Sequence, residues 1–415
     1  MKIYKESKLN NGVAIITSED PNAEVVTISV WVRAGSRYEK DSERGYAHML
    51  EHMLLKGTKN RPSIFDVNVI MDRAGAMSNA MTNTETVRAY IEVTKDRLDD
   101  MFELMADIIR NPLLDSFVLE NEKKVILQEY DRAYDTPSSR LWIESSKRTF
   151  DNHPLSHYAL GNKACIEAAT PELLRQYYER MFLPQRIAVV VSGGASHEKI
   201  TELTQVHFGD MEPKTMGDLD NFTTPIIHRG HAFEIMPTTQ TQLDFSFVSP
   251  AVSMRESAAI DIYATFLGYK HTSLLYQKLR HDLGLVYSVG VYHMQYSDAG
   301  LFYISTSTTK PQEVIPAIVD CAVNAAQYLT SDLFEIYKEQ LINIITRETS
   351  GSSGGIGYLG NSWLHFGRLV APNEWKDIIK GITYEEMIEM IGRLVTKDNL
   401  YIMAVGEKEF PMNSY

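Results

Sequence analysis

Gly45-Tyr46-Ala47-His48-Met49-Leu50-Glu51-His52-Met53-Leu54-Leu55-Lys56-Gly57-Thr58 decides how this chain is read. Asp41 or Ser42 supplies a helix start before it, and Gly57 supplies a stop. Between them lie good helix formers, apolar on most of the circumference, as in a buried helix. His48, Glu51 and His52 stand out against that background. At spacings of three and four they share one helical face. Two imidazoles at i and i+4 can bind one Zn²⁺, and the carboxylate between them can reach water beside the metal. Chance produces such a three-point pattern in a long chain at about a few per cent. Chance seldom puts three polar groups on one face of an apolar helix, where each would cost about 1–3 kcal/mol if buried without a partner. A metal site is therefore expected.

At 415 residues the chain exceeds one ordinary core, so two domains are expected. Its hydrophobic content of 44% and charged content of 23% are those of a globular protein. A net charge of −13 without a long basic stripe argues against binding to nucleic acid or to an anionic membrane. Cys165 and Cys321 are far apart and fit neither a disulfide framework nor a cysteine-based zinc site. No apolar run reaches the roughly 18 residues of a spanning helix, and Met1-Lys2-Ile3-Tyr4-Lys5-Glu6 has no apolar signal core. The chain reads as cytosolic, unless a presequence precedes this numbering.

Strand-like segments at 12–17 and 25–32 flank a polar turn near Asp20-Pro21-Asn22. Helices follow at 62–74, 96–109 and 115–134, and the alternating stretch from Met77 to Val93 reads as one long strand. The polar segment 209–229 divides an amino-terminal domain, 1–208, from a carboxy-terminal domain, 230–415. The second half echoes the first: Thr170 opens a helix leading to a strand that ends at Gly193, and Thr383 opens one leading to Gly406, each 23 positions on. The expected class is α+β, with two homologous domains, each a mostly antiparallel sheet covered by helices. Gly351-Ser352-Ser353-Gly354-Gly355-Ile356-Gly357 lacks the Lys-Ser/Thr of a phosphate loop and reads as a flexible break or hinge.

Catalytic zinc usually has three protein ligands, so a further carboxylate or histidine is needed. Glu122 and Glu129 lie seven apart on one helical face. Charges so spaced are commonly a solvated face, but Glu129 closely follows Val125-Ile126-Leu127, a poor place for a purely solvated carboxylate.

With its H-x-x-E-H order and this glutamate pair, the chain resembles the inverzincin peptidases of the pitrilysin, insulin-degrading enzyme and mitochondrial processing peptidase group. The resemblance covers nearly the whole chain, and it implies a zinc-dependent endopeptidase with one Zn²⁺ per chain. In that family a later glutamate completes the metal site, and Glu129, 77 positions after His52, maps to it. Glu122 maps to the supporting carboxylate, and Glu51 to the general base. Asn79-Ala80 maps to an edge strand that takes an extended peptide, although by itself Asn79 would read as a turn or strand-end residue. Arg280 and Tyr287, within Leu279-Arg280-His281-Asp282-Leu283-Gly284-Leu285-Val286-Tyr287, map to contacts with the substrate backbone and the developing oxyanion. Small bacterial relatives often carry a second basic residue where Leu283 stands, and a Gly/Ser-rich entry where Gly268-Tyr269-Lys270-His271-Thr272 stands. The resemblance thus bears on chemistry more than on substrate preference. It further implies short or unfolded peptide substrates, such as leader or presequence segments, and a dimeric chamber. That dimer would be a homodimer, or a heterodimer with a related subunit lacking the zinc motif. The competing expectation is a non-catalytic or peptide-trapping partner subunit.

Overall fold

The computed structural model describes residues 2–412 apart from 218, 227, 228 and 252. Among these residues, eleven strands form two sheets. The first holds β1 (Ile3–Lys8), β2 (Ala14–Glu19), β3 (Val25–Val32), β4 (Met77–Thr82), β5 (Val87–Thr94) and β6 (Ile187–Gly193), in the order β1-β2-β6-β3-β5-β4. The second holds β7 (Gly230–Ile235), β8 (Thr241–Pro250), β9 (Val289–Gln295), β10 (Ala299–Thr308) and β11 (Leu400–Gly406), in the order β7-β11-β8-β10-β9. Only β2–β6 and β7–β11 run parallel. Without β1 the two orders coincide strand for strand. This is an α+β fold of two like, mostly antiparallel sheets.

The apolar run of β6 is buried along its whole length, as a central strand covered on both faces requires. Thr170 and Thr383 cap the helices before β6 and β11, accepting from the N–H groups of Leu173 and Glu386. The segments 12–17 and 25–32 become β2 and β3, but β6 lies between them, so they form no hairpin. β11 separates β7 from β8 in the same way. The single long strand expected over 77–93 breaks into β4 and β5. Asn83 Oδ1 accepts from the N–H groups of Glu85 and Thr86 and turns the chain there.

Two compact units result. One comprises Met1–Asp131, His157–Asn221 and Arg347–Ala371; the other comprises Arg132–Ser156, Phe222–Thr346 and Pro372–Tyr415. The strands therefore divide at the polar stretch 209–229, while the helices cross it. In the first unit the helix Ser352–Phe366 lays Leu359, Trp363 and Leu364 against Ile16, Trp31 and Val190. In the second, the helix Pro137–Phe150 lays Leu141 against Met403 and Val405, and Phe150 against Val248 and Leu301.

The expected hinge at 351–357 is instead the first turns of a helix. A Cβ on Gly360 would lie 2.1 Å from the Trp31 ring, and one on Gly355 would lie 2.9 Å from Ser192 Oγ. The glycines let the helix approach the sheet closely. Among the described residues, no helix is long and apolar enough to cross a membrane.

Candidate metal centre

The segment bearing His48, Glu51 and His52 forms a helix, Tyr46–Leu54, packed against β4 and β5 of the first unit. Its inward side chains, Met49, Leu50, Met53 and Leu54, are fully buried and fix its rotation. His48, Glu51 and His52 are thereby left half-buried on the opposite face. The expected caps, Asp41 and Ser42, lie in a separate turn; the N-cap is Gly45, which has no side chain to offer.

A second helix, Ser116–Asp135, brings in the glutamates. The Nε2 atoms of His48 and His52 lie 3.6 and 3.5 Å from one oxygen of Glu129. The two rings meet edge to face, 4.6 Å apart. Among the described residues, His48, His52 and Glu129 are the one group of His, Cys, Asp and Glu whose ligand atoms all lie within 4.8 Å of one another.

The electrostatics suit a cation. Burial, with the His52 ring beside it, pushes the pKa of His48 down to about 3, so the ring is neutral and keeps a lone pair. Its Nδ1 is buried without a hydrogen-bond partner, so the ring is held by packing with Nε2 towards the cluster. For His52, Nδ1 lies 3.1 Å from Glu122 Oε2. Burial pushes the Glu122 carboxyl up, but hydrogen bonds from Lys56 and His52 outweigh it and leave the pKa lowered. An ionised Glu122 can only accept, so His52 Nδ1–H donates and Nε2 is free for a metal. Burial raises the pKa of Glu51, opposed by hydrogen bonds from Thr82 and by His52. That shift suits a group that must take and return a proton near neutrality.

The remaining expected residues lie elsewhere. Asn79 is exposed and Ala80 is buried on β4, the edge strand of the first sheet. Arg280 and Tyr287 belong to the second unit and are neighbours there. The guanidinium stacks 4.6 Å from the Tyr287 ring, and Nη1 donates to the Tyr287 carbonyl at 2.6 Å. Tyr287 is itself 75% exposed. Sequence reasoning passed over Lys56, whose Nζ lies 2.8 Å from Glu122 Oε1. A lysine one turn after His52 was the available signal. It also passed over Thr82, which faces Glu51 from the end of β4 and which no periodicity marks.

Two family descriptions match this sequence: "Insulinase (Peptidase family M16)" over residues 14–163 and "Peptidase M16 inactive domain" over residues 168–341. All three clustered metal-ligand candidates fall within the first. An uncharacterized zinc protease of Bacillus subtilis is 28% identical, over 95% of this chain and 97% of that protein. One from Rickettsia bellii is 27% identical, over 94% and 95%. The mitochondrial-processing peptidase subunit beta of Dictyostelium discoideum is 24% identical, over 98% and 90%. Among solved structures, a protease from Helicobacter pylori superposes with a TM-score of 0.90, covering 98% of this chain and 100% of that one at 20% identity. The fold and the cluster thus define a metallopeptidase of two like units. The chain belongs to the insulinase family, peptidase family M16, whose cofactor is Zn²⁺. Two imidazole nitrogens and a carboxylate oxygen are a donor set that fits this ion.

Proposed function

We propose that this protein is a zinc-dependent endopeptidase that cleaves short or unfolded peptides, of the leader or presequence kind. The observation that carries this reading is the His48, His52 and Glu129 cluster with Glu51 on the same helical face. His48 and His52 through Nε2, and Glu129 through a carboxylate oxygen, would hold Zn²⁺. Zinc, once bound, supplies Lewis acidity to the peptide carbonyl and to water.

This chain's own groups do the rest. Glu122 holds His52 in the Nδ1–H tautomer and is itself held by Lys56. Glu51 takes the proton of the attacking water on a carboxylate oxygen and passes it to the leaving amine nitrogen. Arg280 and Tyr287 orient the substrate backbone and donate to the developing oxyanion. A peptide lies extended along β4 at Asn79-Ala80, where the unpaired edge offers main-chain hydrogen bonds. An extended substrate is necessarily unfolded at the scissile bond.

The family resemblance implies a chamber with twice the domains one chain provides, so we infer a dimer. Arg280 and Tyr287 of one subunit would serve the zinc site of the other. A homodimer suffices, because each chain carries both sets of residues; a related subunit can stand in its place. A cytosolic setting completes the reading. The description of residues 168–341 as an inactive domain accords with the metal-ligand candidates lying, among the described residues, before that stretch.

The test is cleavage of a library of unstructured peptides before and after chelation. Loss on chelation and return with zinc are expected. Binding of peptides with no turnover, in zinc-loaded protein, would favour the peptide-trapping alternative.

A further inference from the structure

The helix bearing His48, Glu51 and His52 has no cap of its own. Gly45, at φ 103 and ψ 0, has no side chain for the first-turn N–H groups. A Cβ there would come within 3.2 Å of the Leu160 carbonyl oxygen, in a left-handed conformation that already favours glycine. A cap comes instead from Glu39, six residues upstream and 5% exposed. Its Oε2 accepts from Gly45 N–H at 2.9 Å and its Oε1 from Ala47 N–H at 2.8 Å. Ala47 immediately precedes His48. Burial pushes the Glu39 pKa up to about 8, opposed by these two N–H groups and by Arg44, and both carboxyl oxygens stay placed as acceptors at the helix start.

Glu39 is not on a free loop. It closes the turn Ser36–Tyr38, and that turn is bound to the hairpin between β4 and β5. Ser36 N–H donates to the Asn83 carbonyl at 3.2 Å, and Arg37 N–H to the Thr84 carbonyl at 2.9 Å. The buried Arg37 guanidinium donates to Glu85 Oε1 at 2.7 Å. The hairpin begins where β4 ends. This turn therefore holds the loop that follows the edge strand and, through Glu39, the start of the metal helix.

We propose that Glu39 is a positioning residue that seats the metal helix against the edge strand. It fixes where His48, Glu51 and His52 stand relative to a peptide on β4. It touches neither metal nor substrate, and it acts through the first turn of the helix. The proposal rests on the reading of His48, His52 and Glu129 as the zinc site.

Glu39→Gln keeps the size but leaves one carbonyl oxygen for two N–H groups, while Glu39→Asp keeps both carboxyl oxygens with a shorter reach. Three properties are compared in the full-length protein: amide hydrogen exchange over residues 45–54, zinc affinity by chelator competition, and kcat with KM on an unstructured peptide. In folded Glu39→Gln, faster exchange at the helix start is expected, zinc affinity weaker by about tenfold, and lower kcat with KM unchanged. Partial recovery is expected in Glu39→Asp. Wild-type zinc affinity and kcat in both folded variants would overturn the proposal, since the cap would then serve stability alone. Failure of both variants to fold would overturn it on the same ground. Failure of the zinc-site reading would show separately, as wild-type protein that binds no zinc, and would take the proposal with it.

Discussion

Asp244 shows how one buried group sets a pH dependence. It lies in β8 at 1% exposure, with Ser145 and Ser246 as hydrogen-bond donors to Oδ2. Burial pushes its pKa up to about 7. A carboxyl whose folded pKa is raised adds stability that is complete below its unfolded value, near 4, and is lost as pH rises through 7. The melting temperature of the wild type should therefore fall between about pH 4 and 7, relative to that of Asp244→Asn, which has no such proton to lose. Parallel curves for the two proteins would contradict this. None of it was legible in the sequence, where Asp244 is one acid in a strand-like run. His48, Glu51 and His52 were legible, because helical periodicity alone puts them on one face. Glu129 needed the family resemblance, since charges seven apart mark a solvated face as readily as a ligand.

At the scale of the element, glycine placement decides how helices meet sheets. The run at 351–357 read as a break because glycine is a poor helix former. The sequence does not show that Trp31 fills the space that a side chain at Gly360 would need. Gly360→Ala should therefore destabilise the protein by about 1–3 kcal/mol in urea unfolding, although alanine is the better helix former by about 1 kcal/mol. A stabilised variant would refute the close packing. Other elements were obscured for related reasons. Beyond Ile304, the inward positions of β10 are Thr306 and Thr308, whose hydroxyls donate to the Ser288 and Leu285 carbonyls. Hydrogen bonding there replaces the apolar alternation that marks a strand. The break between β4 and β5 is held in part by one side chain, that of Asn83, which alternation does not register.

The molecule as a whole repeats one sheet plan, and the equal spacing from Thr170 to Gly193 and from Thr383 to Gly406 announced it. The repeated β6 and β11 are inner strands and each is a member of its sheet's parallel pair, where a matched cap, helix and strand would be expected. The crossing of the helices was not announced, because an amphipathic helix does not specify which of two like sheets it covers. The two units divide the proposed chemistry, with metal-ligand candidates in one and Arg280 and Tyr287 in the other. If catalysis is shared between subunits, mixing Arg280→Ala with Glu51→Gln should restore part of the activity lost in each. No recovery above either variant alone would leave each chain acting by itself.

The most direct measurement is zinc per chain in wild type and in Glu51→Gln, alongside cleavage of unstructured peptides by each. The expected result is near-stoichiometric zinc in both proteins, with cleavage by wild type and a loss of at least about 100-fold in Glu51→Gln. Absence of zinc from metal-replete wild type, or undiminished cleavage by Glu51→Gln, would contradict a zinc site served by Glu51.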